Sequence, residues 1–361
     1  MQALEGVGAF LTAQVKAHSS PSVRRSSPDL EHIQSKIRHT PGLVPTLAAV
    51  YYVFSFGYGF YIWFAAIWLC CRHPVLLLPL ATYMLHVCTW GAAATQAGAG
   101  PAPLKRWAMW RAVAAYFPAR LHKTADLPPH RPYVFVMHPH GILSFSAWLT
   151  FATEALGFDR LFPGIRAHIL TLRINFRTPF LREYLLLHGV RDVSKRSCLS
   201  LLSSGESVMI AVGGATESLY AKPGANDLVL KRRRGFVKVA MHTGAALVPV
   251  YGFGENATFR TVNELPSQSA LRRLQRAMTR TIGFTFPLYF GRIGLLPFGV
   301  PLDVVVGAPL ALPKWEGPEE GAAYEAAVDR GHAAYCAALH SLFEQHRERY
   351  AKGEAGLQLV E

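Results

Sequence analysis

Residues 133–157 read YVFVMHPHGILSFSAWLTFATEALG, and this stretch decides the architecture. Tyr133–Met137 is an uncharged aromatic and β-branched run, the mark of a strand buried on both faces. Pro139 and Gly141 interrupt it, and 142–157 then predicts a helix. Strand, glycine turn and helix in that order make the unit of an α/β protein with a mostly parallel sheet flanked by helices. The pattern continues downstream. Strands are expected at 168–172, 207–212, 247–253 and 301–306, and helices at 180–189, 194–204, 235–244 and 270–281. One long helix is expected over 318–350, with Glu319 and Glu320 at its positive end and His346, Arg347 and Arg349 at its negative end, as the macrodipole favours. No internal repeat is visible.

In sheets of this kind, ligands gather at the carboxyl ends of strands. His138-Pro139-His140-Gly141 lies at such an end, where Pro139 keeps His138 extended and Gly141 allows a sharp turn. An imidazole there exchanges protons near neutral pH, whereas the bland reading has both histidines merely capping a turn. Residues 142–145 (ILSF) add no further ligand, so no metal site is expected. The absence of G-x-S-x-G disfavours a lipase-type serine hydrolase. Gly213-Gly214-Ala215-Thr216-Glu217 ends a second strand, so Glu217 belongs on the same sheet edge, unless it is only a helix-start charge. Lys231-Arg232-Arg233-Arg234, followed by Gly235, Phe236, Val237 and Lys238, suits phosphate groups or, equally, a solvated charge run.

The 361 residues are 51% hydrophobic and only 17% charged, with a formal net charge of +14. Disorder is excluded, and an anionic partner is expected. Nucleic acid is disfavoured for want of interleaved aromatics or a known module. The cysteines Cys70, Cys71, Cys88, Cys198 and Cys336 form no C-x-x-C pair and are odd in number, which fits a reducing compartment.

Upstream, Thr40–Cys71 runs for 32 residues without a charge, and Leu43–Cys71 is apolar on every side. About 20 residues span a hydrocarbon core. Pro74–Leu104 continues without Asp, Glu, Lys or Arg. The two limbs predict an N-terminal transmembrane helical hairpin over 41–104, preceded by a flexible cytosolic arm (1–40) and followed by a catalytic domain (105–361). The arm carries a short amphipathic helix built on Leu30, Ile33 and Ile37, suited to the membrane face. It has no conventional secretory signal. Lys16, Arg24, Arg25, Lys36 and Arg38 before the hairpin, and Lys105, Arg106, Arg111, Arg120 and Lys123 after it, put both flanks in the cytosol.

From about residue 43 to the end, the chain resembles the type 2 diacylglycerol acyltransferase family, which includes monoacylglycerol acyltransferases and wax-forming enzymes. The resemblance is carried by Tyr116-Phe117-Pro118, by His138-Pro139-His140-Gly141, and by Asn175-Phe176-Arg177-Thr178-Pro179-Phe180. Gly213-Gly214 with Glu217 adds to it, and so does the 23-residue block RRGFVKVAMHTGAALVPVYGFGE (Arg233–Glu255). The last is the most specific. The resemblance implies a glycerolipid-acyltransferase-like fold and acyl transfer from acyl-CoA, a co-substrate rather than a cofactor, to diacylglycerol. It implies a place at the endoplasmic reticulum membrane, with access to lipid droplets; a homo-oligomer is compatible with it. It makes His140 the general base, with His138 as helper and Glu217 as the carboxylate that orients the base. Tyr116, Phe117, Pro118, Pro139, Gly141, Asn175, Arg177, Gly213, Gly214, Arg233, Arg234, Gly235, Phe236 and Lys238 become substrate-binding residues. The wider glycerolipid acyltransferases carry His-x4-Asp; here the matching positions are Phe145 and Leu143. The arginine that would hold a phosphorylated acceptor is also missing after Glu217, which favours a neutral acceptor. Monoacylglycerol or a fatty alcohol is the alternative, and a non-enzymatic hairpin coat protein of lipid droplets is the reading from another class.

Overall fold

The structure, a computed structural model, describes residues 28–37, 40–55, 58–89, 91–96, 102–261 and 289–360. Its strands are β1 (Arg120–Lys123), β2 (Tyr133–His138), β3 (Ala167–Thr171), β4 (Arg191–Asp192), β5 (Ser207–Ile210), β6 (Asn226–Val229), β7 (Ala246–Phe253), β8 (Arg260–Thr261), β9 (Tyr289–Phe290), β10 (Asp303–Val306) and β11 (Leu357–Val360). Seven of them form one sheet in the order β1-β10-β7-β2-β5-β3-β4. β2 lies between β7 and β5 and runs parallel to both, with His138 level with Tyr251. Only the β10–β7 pairing in this sheet is antiparallel. The expected mixed α/β architecture with a mostly parallel sheet is therefore present.

Alternation along β2 feeds two cores. Val134 and Val136 point to the layer that holds the helices Lys195–Ser203, Gly235–Thr243 and Ala322–Tyr350. Tyr133, Phe135 and Met137 point to the other side, against Phe151, Phe158 and Phe162. Burial on both faces is what an all-apolar strand requires. Two small sheets, β11 with β6 and β8 with β9, lie apart from the main one.

The helix expected over 142–157 is much shorter. Ile142–Ser144 remain in a turn, with Ser144 left-handed at φ 52°. The helix starts at Phe145–Ala147 and passes into a wide π turn at Trp148–Ala152. Its start is set by Glu255, which accepts the first helical amides, a contact between residues about 110 apart in sequence.

The uncharged N-terminal run also departs from expectation. It folds as separate helices at Leu43–Ser55, Tyr58–Arg72, Leu77–Cys88 and Gly91–Gln96. Among the described residues no helix is long and apolar enough to cross a membrane. The first two have 13 and 15 residues, about 20 and 22 Å of helix where a hydrocarbon core needs about 30 Å. One face of Leu43–Ser55 is spent on protein: Ala48, Ala49 and Tyr52 pack with Trp110, Val113, Phe145 and Trp148. Leu43, Val44, Leu47 and Phe54 on the same helix stay exposed. Farther on, Tyr83 donates its hydroxyl to Glu183 (2.5 Å) and Thr95 donates to Asp192 (2.8 Å). The arm helix Pro28–Lys36 likewise docks on protein, burying Ile33 against Ala257, Phe298 and Val300 and pairing Lys36 with Glu354. The expected helix at 270–281 and the basic pair Arg24-Arg25 lie outside the described residues.

Candidate active site

β2, β5 and β7 are parallel neighbours, so their carboxyl ends share one edge of the sheet. β2 delivers His138-Pro139-His140-Gly141, β5 leads to Gly213, Gly214 and Glu217, and β7 leads to Glu255. His140 is half-buried. Its Nδ1 lies 3.1 Å from the Gly141 carbonyl and 3.3 Å from the Ser144 hydroxyl, which itself donates to the His140 carbonyl at 2.6 Å. A carbonyl can only accept, so the ring proton belongs on Nδ1 and the lone pair on Nε2. Burial lowers the His140 pKa, partly opposed by the bond to Gly141. The neutral ring is thus the resting form at neutral pH.

Glu217 meets the same turn in a different way from the one expected. Its carboxylate, 2% exposed, accepts the backbone N–H of His140 (2.5 Å) and that of Val229 (2.8 Å), not the imidazole. It positions the main chain of His140. Burial raises its pKa to about 7, against the pull of the two amides and of Arg233. Gly213 is needed where it stands, because a Cβ there would overlap the Glu217 carboxylate. Gly214 adopts φ 57°, which glycine tolerates.

His138 and His140 are not brought together. The His138 ring is fully buried, with Nε2 3.1 Å from the Tyr335 hydroxyl of the long C-terminal helix, and burial lowers its pKa to about 3. It packs the strand to that helix. Tyr116 and Phe117 are also interior: Tyr116 donates to the Pro297 carbonyl (2.6 Å), and the Phe117 ring lies 4.4 Å from Phe145, beneath the turn. Pro118 follows them toward β1. Phe236 is buried edge-on against Tyr335 (4.8 Å) and presents no surface to a substrate. Asn175 and Arg177 follow β3 at the same sheet edge, two strands from β2. Asn175 is tied to Thr171 (2.9 Å), and Arg177 is exposed. In the basic run, Arg234 pairs with Asp329 (2.5 Å) and Lys238 with Glu325 (2.7 Å), while Arg233 reaches Thr216 beside Glu217 (3.3 Å). Lys231, Arg232, Arg233 and Gly235 are exposed around them.

Three residues on the turn carried no expectation from sequence. Tyr52, from the helix read as a membrane limb, donates to the Leu143 carbonyl at 3.1 Å. Ser144 holds the His140 carbonyl. Glu255, 1% exposed, accepts the amides of Phe145 (3.0 Å) and Ser146 (2.8 Å). The signal for Glu255 was available, since it follows the buried strand at 247–253 as Glu217 follows its own. Nothing in the sequence marks Tyr52. Among the described residues no three His, Cys, Asp or Glu side chains cluster as metal ligands would.

The diacylglycerol acyltransferase family model matches residues 67–360. Diacylglycerol O-acyltransferase 2A of Umbelopsis ramanniana is 38% identical over 348 residues, 89% of this chain and 96% of its own. Diacylglycerol O-acyltransferase 2 of Danio rerio is 41% identical over 267 residues, 71% of this chain and 72% of its own. Acyl-CoA wax alcohol acyltransferase 1 of Homo sapiens is 37% identical over 300 residues, 77% of this chain and 90% of its own. No solved structure matches.

Proposed function

The chain belongs to the diacylglycerol acyltransferase family, and from that premise we propose that it is an acyl-CoA:diacylglycerol O-acyltransferase with His140 as its general base. One observation carries the assignment of the base: a half-buried imidazole at the shared strand edge has Nδ1 bound to a carbonyl, which leaves the Nε2 lone pair for a hydroxyl. Nε2 takes the proton of the diacylglycerol hydroxyl as its oxygen attacks the thioester carbonyl. The C–S bond then breaks, the departing thiolate of CoA receives that proton, and triacylglycerol is released. No acyl-enzyme is required. The lowered pKa supports this role, because the base is unprotonated at neutral pH.

Exposed Lys231, Arg232 and Arg233 suit the phosphates of CoA, and Arg233 stands nearest the turn through Thr216. The exposed apolar side chains from Leu43 to Leu85, among them Phe64, Trp68, Val75 and Leu78, support seating of these helices in a membrane; the basic residues on either side of them favour both chain ends on the cytosolic side, and the family favours the endoplasmic reticulum. The wax alcohol relative makes a fatty alcohol the acceptor to test against. Labelled acyl-CoA offered to membranes containing the full chain, with diacylglycerol, monoacylglycerol and fatty alcohol in competition, should yield chiefly triacylglycerol. A wax ester as the main product would reassign the acceptor.

A further inference from the structure

Glu255 touches both limbs of the loop that carries His140. On one side its two oxygens accept the Phe145 and Ser146 amides at 3.0 and 2.8 Å. On the other its Cγ and Oε1 lie 2.5 and 2.6 Å from where a Cβ of Gly141 would stand, so that only glycine, at φ 64°, fits between His140 and this carboxyl. Between these contacts lies Ser144, left-handed at φ 52°, with its hydroxyl on the His140 carbonyl and 3.3 Å from Nδ1. A β-substituted residue keeps that backbone only where its surroundings impose it.

We propose that Glu255 is a positioning residue for His140: by pinning the Phe145 and Ser146 amides beneath Gly141, it holds loop 141–144 and the Ser144 hydroxyl in the arrangement that aims the imidazole at substrate. This rests on the reading of His140 as the base. Burial raises the Glu255 pKa to about 7, which marks a carboxylate kept in the interior at some cost to the fold. Glutamine fills the same space but offers one acceptor oxygen, so one of the two amides would face an NH2 group.

The test is steady-state kinetics on membranes containing the full chain, with wild type, Glu255→Gln, Glu255→Asp, Glu206→Gln and His140→Ala matched for protein amount. Glu206 is the control: it is equally buried (2% exposed) but sits at the start of β5, with Arg166 and His168, at the edge opposite the site. A misaimed base loses turnover rather than substrate binding. Glu255→Gln should therefore lose about 10- to 100-fold in kcat, with the KM for acyl-CoA and for diacylglycerol changed less than about 3-fold, while Glu206→Gln keeps its kcat. Wild-type kcat in Glu255→Gln, an equal loss in Glu206→Gln, or a loss confined to KM would overturn the proposal. If Glu255→Gln does not accumulate, Glu255→Asp decides, since it keeps both oxygens but withdraws them by about 1.5 Å; a normal kcat there overturns the proposal as well. His140→Ala separates the two readings. An active His140→Ala removes the base itself, whereas an inactive His140→Ala beside a normal Glu255→Gln removes only the positioning role.

Discussion

Two histidines separated by a single proline in sequence hold opposite positions in the molecule. His140 stands half-buried at the strand edge, and His138 is sealed against Tyr335. General-base catalysis contributes about 100-fold or more, so His140→Ala should lose at least that in turnover per enzyme while the protein still accumulates. His138→Ala removes a buried ring and should act mainly through stability, lowering the unfolding temperature of detergent-extracted protein with a smaller loss of turnover. Glu217→Gln should fall between them, because it leaves a donor facing the amide of His140 or of Val229. The rank order, read as acyl-CoA turnover at matched protein amounts, is the measurement. Near-normal turnover in His140→Ala would discard the proposed base.

Each element near the turn serves the turn and the fold together. The helix Gly235–Thr243 begins at the basic run, yet Arg234 and Lys238 are engaged by Asp329 and Glu325 of the C-terminal helix. The outer residues Lys231 and Arg232 are therefore the ones left toward solvent. Reversing both to Glu should raise the KM for acyl-CoA by about 10-fold or more, as charge-assisted contacts of about 1.5 to 3 kcal/mol would require. If pelleting with membranes falls and the KM of the bound enzyme does not, the run faces lipid instead. The apolar helices between Leu43 and Cys88 present a second test at this scale. Exposed Leu, Phe and Trp side chains along these helices predict that alkaline carbonate leaves the protein in the membrane pellet. Tags at both ends should be digested in intact microsomes, and a protected C-terminus would refute a shared cytosolic side.

Across the whole molecule, two carboxylates, Glu217 and Glu255, are buried around one turn, with pKa values raised from 4.5 to about 7. A folded state that binds these protons more tightly than the unfolded chain loses stability as pH rises from about 4.5 through 7. Buried histidines with lowered pKa oppose this below their ordinary value of 6.5, as His138 and His188 do. The variant must therefore be compared with wild type at each pH. The unfolding temperature of Glu217→Gln relative to wild type should improve between pH 5 and pH 8, measured in detergent; an unchanged difference would mean that Glu217 is not the raised group. Sequence alone carries the α/β class, because strand burial and helix caps are local patterns: YVFVM at β2, the run before Gly213, and Gly244 ending a helix all read directly from their neighbours. It also carries the place of the His138-Pro139-His140-Gly141 turn, since an apolar run broken by proline and glycine marks a strand end. Only the tertiary structure separates His138 from His140, moves Glu217 from the ring to the main chain, brings in Tyr52, sets Glu255 on the amides of Phe145 and Ser146, and turns one face of an apolar run into core. Each of these is a contact across about 60 residues or more. Such contacts depend on which strand ends adjoin, and hydropathy and spacing along the chain carry no record of that adjacency.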